Sequence, residues 1–444
     1  MEKWIVLILS GMIAYWVLSL TIQRSAQISR WLRIKQPTPP TDAEPQPEVM
    51  TSTKEIASLR SISAEEETLL RECFPWSVYF LESIEYRPQG VVCRGRLRTE
   101  AAKAYQTVKD NIAERFDDKF FVLFQSGLSD RPFFVLVPDV IKDRNPRPSF
   151  MNYMLAGLSW ALAWSTTSQY GALLSGVKPE QLQQNVMAPR GWLYALTVLA
   201  VLCSKDLVKY WICRWRRIAT GLLYCVPLPF FPGTCGTLLQ LRAPVPDRRI
   251  LFDLGFGSLI VNLVIASVSL FWGLQHSTVV THSPESGILN FASCDPRFSL
   301  FLTGLSKLAM GQDFSTNTAI QLHPVATAAY LGFLMMAINM LPFKRFDGGY
   351  VVHAMYGVRG SIAIGQIAKI ILIMLGFLQL YLTSYTGSLV FAILLMFFPT
   401  ISDPTLNDVT EIDSRRDAWG MFLLGIIVLI FLPVPGILGK LLGV

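Results

Sequence analysis

Asn339-Met-Leu-Pro342-Phe-Lys-Arg-Phe-Asp347-Gly348-Gly349 closes one apolar run and opens into another. Read alone it is a turn, because an aspartate followed by two glycines is good turn chemistry. Its flanks change the meaning. Val325 to Leu341 on one side and Ile364 to Leu382 on the other are apolar blocks, so the carboxylate of Asp347 stands between segments suited to a bilayer. Ionisable groups in such surroundings are rare and are found paired.

The composition agrees with a membrane protein. Of the 444 residues, 52% are hydrophobic and 16% are charged, whereas soluble domains carry about 25% charged residues. The mean hydropathy is +0.40. The net charge of +7 comes from Lys and Arg residues that sit mostly beside apolar blocks, where they set membrane orientation, so nucleic acid is not an expected partner. The seven cysteines are odd in number and form no Cys-x-x-Cys pair, which points to packing residues and not to a disulfide framework or a cysteine metal site.

Four regions follow along the chain. Residues 1–35 hold an apolar run, Trp4 to Ile22, that reads as a retained anchor: no small-residue cleavage site follows it. Arg24, Arg30, Arg33 and Lys35 place its C-terminal end on the cytoplasmic or stromal side. Residues 36–52 form a Pro-rich linker. Residues 53–145 look like a small soluble α+β module. It begins with the capping box Ser63-x-x-Glu66 and continues with strand-like runs Trp76 to Ile84 and Val91 to Leu97, a charged helix Glu100 to Arg115, then Phe120 to Phe124 and Phe133 to Val137. Residues 150–440 form the membrane domain, with spans expected at Tyr153 to Tyr170, Gly191 to Cys213, Leu254 to Leu274, Val325 to Leu341, Ile364 to Leu382, Leu389 to Phe398 and Trp419 to Leu432.

With the anchor this makes an α-helical polytopic protein of roughly eight crossings. Loop charges fit that count, because Arg214, Arg216, Arg217, Arg242, Arg248, Arg249, Lys344, Arg345, Arg415 and Arg416 would share one side. Between Ile218 and Ile250 the chain is apolar but rich in proline and glycine, including Pro232-Gly233-Thr-Cys-Gly236. That composition suits a re-entrant hairpin better than a spanning helix.

One expected span carries charges. Lys205, Asp206 and Lys209 interrupt Gly191 to Cys213, each at a cost on the order of 2.5 to 3.5 kcal/mol at a helix centre. Two arrangements satisfy them: the lysines snorkel to the cytoplasmic-side interface, or Lys205 or Lys209 pairs with Asp347.

Taken together, these segments resemble the site-2 protease family of zinc intramembrane metalloproteases, in its plant-chloroplast and cyanobacterial branch. The Asn339-x-x-Pro342…Asp347-Gly348 segment is similar to the family's motif, whose Asp supplies the third protein ligand to zinc. The resemblance extends through Arg94 to Arg98, the Gly233 to Gly236 hairpin, Pro244 to Arg248, Phe252-Asp253, His323-Pro324 and Thr405 to Asp417. A working member also needs His-Glu-x-x-His, in which the two imidazoles share one helix face and the Glu activates the zinc-bound water. The matching segment here is Lys205-Asp206-Leu207-Val208-Lys209, and the four histidines, His276, His282, His323 and His353, form no such pair.

An ammonium has no lone pair for a metal, and Asp206 and Asp347 favour the charged lysine. His353, the nearest histidine, is expected to take a structural or hydrogen-bonding role. The resemblance therefore implies a degenerate site with no catalytic residue, metal or cofactor: a pseudoprotease acting as scaffold, chaperone or regulator. Its partners would be the bilayer and a membrane protein client or complex. The related chains imply a cyanobacterial thylakoid or plasma membrane, or a chloroplast membrane, and the lack of a Ser/Arg-rich transit peptide favours a bacterial origin. An atypical metalloprotease with other ligands and a transporter remain as alternatives, the latter without support from any internal repeat.

Overall fold

Aromatic and β-branched residues between positions 76 and 137 build a four-stranded antiparallel sheet. In the computed structural model the described residues are 64–434 and 439, apart from 88–89, 118, 127–130, 139–147, 179–190, 230–231, 284–285, 289, 316, 345, 384–386, 400–404 and 435–438. The expected anchor, the Pro-rich linker, Ser63 of the capping box and Arg345 lie outside them.

Helix α1 (Ala64–Glu72) precedes β1 (Tyr79–Arg87) and β2 (Gly90–Leu97), and α2 (Ala101–Phe116) leads into β3 (Phe120–Ser126) and β4 (Pro132–Pro138). The strand order is β1-β2-β4-β3. Strand β1 starts three residues later than the sequence pattern suggests, because Pro75 O closes a turn onto the amides of Val78 and Tyr79. Helix α2 lays Ala104, Tyr105, Val108, Ile112 and Phe116 on one stripe, and these residues are buried, most of them in a core with Tyr79, Phe124 and Phe134. Burial pushes the Cys93 thiol of this core up to about 12, so it stays a neutral packing group.

The membrane-type part is helical. Helices α3 (Phe150–Leu174) and α4 (Trp192–Trp215) flank a hairpin of β5 (Tyr224–Pro227) and β6 (Thr234–Leu238). Helix α5 (Arg248–Gln275) packs against α4 and against two later helices, α7 (Pro324–Asn339) and α8 (Asp347–Thr383). Between α5 and α7 lie a small ladder, β7 (Thr278–Thr281) with β8 (Thr318–Gln321), and helix α6 (Leu300–Met310). Helices α9 (Gly387–Met396) and α10 (Ser414–Phe431) complete the described elements.

Among the described residues, Arg248–Gln275 and Asp347–Leu378 are the helices long and apolar enough to cross a membrane by those criteria, and Pro324–Asn339 is a shorter apolar helix. Their neighbours show outward apolar faces. Leu155, Leu158 and Leu162 on α3 and Ile367, Ile370, Met374 and Phe377 on α8 are exposed, as side chains facing hydrocarbon would be. The expected crossing at Leu389 to Phe398 is a helix of 10 residues, which at about 1.5 Å per residue is too short to span the bilayer alone.

Two contacts set how these parts meet. Edge strand β3 is covered by the segment Thr405 to Asp408: Phe124 N donates to Leu406 O at 2.7 Å and Phe124 O accepts from Asp408 N at 2.9 Å. On its other side the same segment donates from Leu406 N to Val245 O at 3.0 Å and from Asn407 N to Pro246 O at 2.9 Å. The module is thereby laced to the start of α5.

The second contact corrects the reading of Arg248 as a loop charge. It is 6% exposed, in the first turn of α5, and its Nε and Nη2 donate to Ala354 O and Met355 O at 2.8 and 2.7 Å. Helix α8 breaks at Gly357, whose φ of +69° is a left-handed value that glycine adopts without strain. The break orphans the carbonyls of the preceding turn, and the guanidinium satisfies them.

Arg248→Met should therefore lower the thermal midpoint in detergent by the loss of hydrogen bonds from a charged donor, about 1.5 to 3 kcal/mol each, and Arg248→Lys should recover part of it. Equal melting of Arg248→Met and wild type would show that the break holds without the arginine.

Candidate functional site

The expected charged segment lies on α4, whose buried face includes Val201, Leu202, Cys203, Ser204 and Asp206. The apolar positions around the charges keep the helix packed between the β5–β6 hairpin, α5 and α7. That packing turns Asp206 and Lys209 inward. Lys209 Nζ pairs with Oδ1 of Asp347 and lies 3.5 Å from Asp206 Oδ1. The side chains are 13%, 2% and 6% exposed for Lys209, Asp347 and Asp206, so the pairing is a buried one and Lys209 does not snorkel to water.

Lys205 takes the other role. Its Nζ is 3.8 Å from Asp206 Oδ2, beside the cluster, and its recorded ion-pair partner is Asp206 and not Asp347.

The Asp347 turn owes its position to close backbone packing. Asn339 ends α7 and its Nδ2 donates to Met335 O at 3.0 Å, while Pro342 sits between the buried Leu341 and Phe343. A Cβ on Gly348 would stand 1.8 Å from Met340 O, so only glycine lets the chain fold back there. Asp347 then begins α8, where its carboxylate faces the positive end of the helix dipole. Its Oδ2 is buried and without a hydrogen-bond partner.

The hairpin supplies a residue that sequence reasoning missed. Thr237 Oγ1 donates to Asp206 Oδ2 at 2.8 Å. Nothing in the sequence marks Thr237, since its place depends on the β5–β6 register that sets Thr237 opposite Cys225. Gly233 and Gly236, expected in this hairpin, both have positive φ, +94° and +93°. At Gly233 a Cβ would also meet Thr167 Cα of α3 at 2.6 Å.

The histidines do not converge on this site. His353 is fully buried on α8, and its Nε2 lies 2.7 Å from Asp408 Oδ1, which ties α8 to the segment that covers β3. His276 stacks on Trp272 at the far end of α5 with the His323 ring tilted beside it, and His282 is 3.4 Å from Asp295.

The donor set does not fit zinc. At the segment that resembles a ligand helix stand two lysines, and the nitrogen nearest Asp347 is an ammonium whose valences are all used by protons. Among the described residues no group of three or more His, Cys, Asp or Glu side chains is placed to hold a metal ion. What the arrangement can do is balance charge: two ammonium groups and two carboxylates share one low-dielectric region where any one alone would be costly.

Residues 68–145 match the family model described as the EGY3 middle domain. The chain is 30% identical to the probable zinc metallopeptidase EGY3, chloroplastic, of Arabidopsis thaliana over 387 residues, covering 83% of this chain and 65% of that protein. It is 24% identical to the probable zinc metalloprotease EGY2, chloroplastic, of Oryza sativa subsp. indica over 395 residues, 85% of this chain and 68% of that one. The chain is a homologue of the EGY proteins of the site-2 protease family. It spans about two thirds of the length of these EGY relatives. No solved structure matches.

Within this EGY-type framework the buried pair makes a quantitative demand. Removing one member of such a pair costs about 3 to 5 kcal/mol because the other charge is stranded. Asp347→Asn should lower the thermal midpoint in detergent, and adding Lys209→Met to that variant should restore part of the loss. Additive losses in the double variant would show that the two side chains are not energetically coupled.

Proposed function

We propose that this chain is a catalytically degenerate, membrane metalloprotease-like protein: it keeps the protease-like framework and acts as a scaffold, chaperone or regulator for a membrane client. The observation that carries this is the Lys209 ammonium against Asp347, with Lys205 in the other position where the resemblance calls for a histidine. A cation that is part of the chain stands where a zinc ligand would have to be. Without an electrophilic metal no water is activated, and the Asp206 carboxylate, engaged by Lys209 and Thr237, is held as a structural counter-charge.

In this reading Lys205, Asp206, Lys209, Asn339, Pro342, Asp347 and Gly348 are the remnant of an active site. The β5–β6 hairpin is re-entrant, and the N-terminal anchor and the helical part together make roughly seven full crossings, with the 10-residue α9 too short to add an eighth by itself. The chloroplast names of the relatives favour a chloroplast membrane. The soluble module then faces the stroma, on the side of Arg24 to Lys35.

Elemental analysis of the purified full chain tests the central claim, and no stoichiometric zinc is expected. Combined Lys205→His, Asp206→Glu and Lys209→His substitution should create zinc binding that Asp347→Ala removes. About one tightly held zinc per wild-type chain, lost on Asp347→Ala, would overturn the proposal. For sidedness, an engineered cysteine on the exposed face of α2 should react with an impermeant reagent only from the stromal or cytoplasmic side of sealed vesicles. Labelling from the opposite side would invert the topology.

A further inference from the structure

Helix α5 carries a charged head above an uncovered apolar side. Arg249, Asp253, Phe256, Ile260, Val264 and Val268 recur at three- or four-residue spacing and so lie on one face, where Val264 and Val268 are 56% and 64% exposed. From Phe256 to Val268 this stripe runs about 18 Å at 1.5 Å per residue, close to the hydrocarbon depth of one leaflet, about 15 Å.

Two helices flank the stripe at its head. Val208 and Ile212 of α4 stand against Gly257, where a Cβ would meet them at 3.5 and 3.2 Å, and the Trp419 ring of α10 lies 6.1 Å from Phe256. Each flank sends an arginine to Asp253. Arg216, which follows the last residue of α4, donates from Nη2 to Oδ2 at 3.2 Å; Arg416 of α10 donates from Nε to Oδ1 at 2.9 Å and from Nη2 to Oδ2 at 3.2 Å. Arg416 and Arg249 also share Asp413. Three guanidinium groups thus meet two carboxylates, an excess of one positive charge.

We propose that this head and stripe bind one anionic membrane lipid, with the negatively charged headgroup at Arg216 and Arg249 and an acyl chain along the open face of α5. Charge selects the headgroup. Among the described residues Arg216 donates from Nη2 alone, so its remaining N–H groups are open to a phosphate or sulfonate oxygen. A zwitterionic headgroup brings a cation to the same positive excess and gains less. Aromatic rings set the depth: Trp215, under the Arg216 guanidinium at 4.8 Å, and Trp419 are 70% and 56% exposed, as side chains at the headgroup level are.

The proposal rests on α5 as a membrane span, which its length and hydropathy support, and it does not depend on whether the Lys209–Asp347 cluster hydrolyses peptides. An occupied site would brace α4 against α5 and α10 about two turns from Lys209.

The test places the full chain in phosphatidylcholine nanodiscs with a trace of phosphatidylglycerol that carries a diazirine on one acyl chain, irradiates, digests and maps the label by mass spectrometry. Label is expected on α5 peptides between Phe256 and Val268. Unlabelled phosphatidylglycerol should displace it, and equal amounts of added phosphatidylcholine or soluble glycerol 3-phosphate should not. Arg216→Gln and the more exposed Arg249→Gln should each weaken labelling about fivefold, the worth of one basic group at an anionic surface. Arg216→Lys should keep most of it and Arg87→Gln, on the soluble module, all of it, with thermal transitions in detergent showing that each variant folds. Displacement by phosphatidylcholine as effective as by phosphatidylglycerol, displacement by glycerol 3-phosphate, or label spread evenly over the outward helix faces would overturn the site. A chain that does not enter nanodiscs would overturn the membrane reading with it.

Discussion

A lysine ammonium and an aspartate carboxylate meeting inside a helical core constrain everything around them. Lys209 comes from α4 and Asp347 from the first residue of α8, helices separated by more than a hundred positions of chain. Moving either charge out of water costs several kcal/mol, and the mutual attraction offsets this only while the geometry holds. The neighbours serve that geometry. Asp206 gives Lys209 a second carboxylate, Thr237 satisfies Asp206 from the hairpin, and the Tyr350 ring lies 5.9 Å from the ammonium. Hairpin and helices are thus held by one charge cluster.

The soluble module is coupled to that core by hydrogen bonds. Residues Thr405 to Asp408 extend the sheet at β3 and, on their opposite edge, bind the backbone that enters α5. Asp408 then accepts from Thr405 Oγ1 at 3.2 Å and meets His353 of α8. His353 follows Asp347 by less than two turns on one helix. A displacement of the module would therefore be felt by the segment that presents Asp347.

Arg248 extends the same logic. Helix α8 runs from Asp347 to Thr383, but its backbone breaks at Gly357. The guanidinium from α5 binds the carbonyls exposed by the break, so the short segment Asp347 to Tyr356 is fixed to α5 independently of the long apolar helix that follows. A rigid first segment keeps Asp347 in register with Lys209.

Composition and apolar periodicity were enough to indicate a helical membrane part and a small α+β module, because burial and hydrogen-bonding rules write both patterns locally. That Lys205 and Lys209 are poor metal ligands was legible too, since an ammonium's lack of a lone pair is a property of the residue and not of the fold. Tertiary structure alone decided which lysine meets Asp347. Positions 205 and 209 share a helix face, and the choice of Lys209 followed from how α4 packs on α5 and α8. It also decided that Thr237 joins Asp206, that Arg248 is buried and that His353 finds Asp408, because each partnership joins residues far apart in sequence whose meeting depends on packing across several elements.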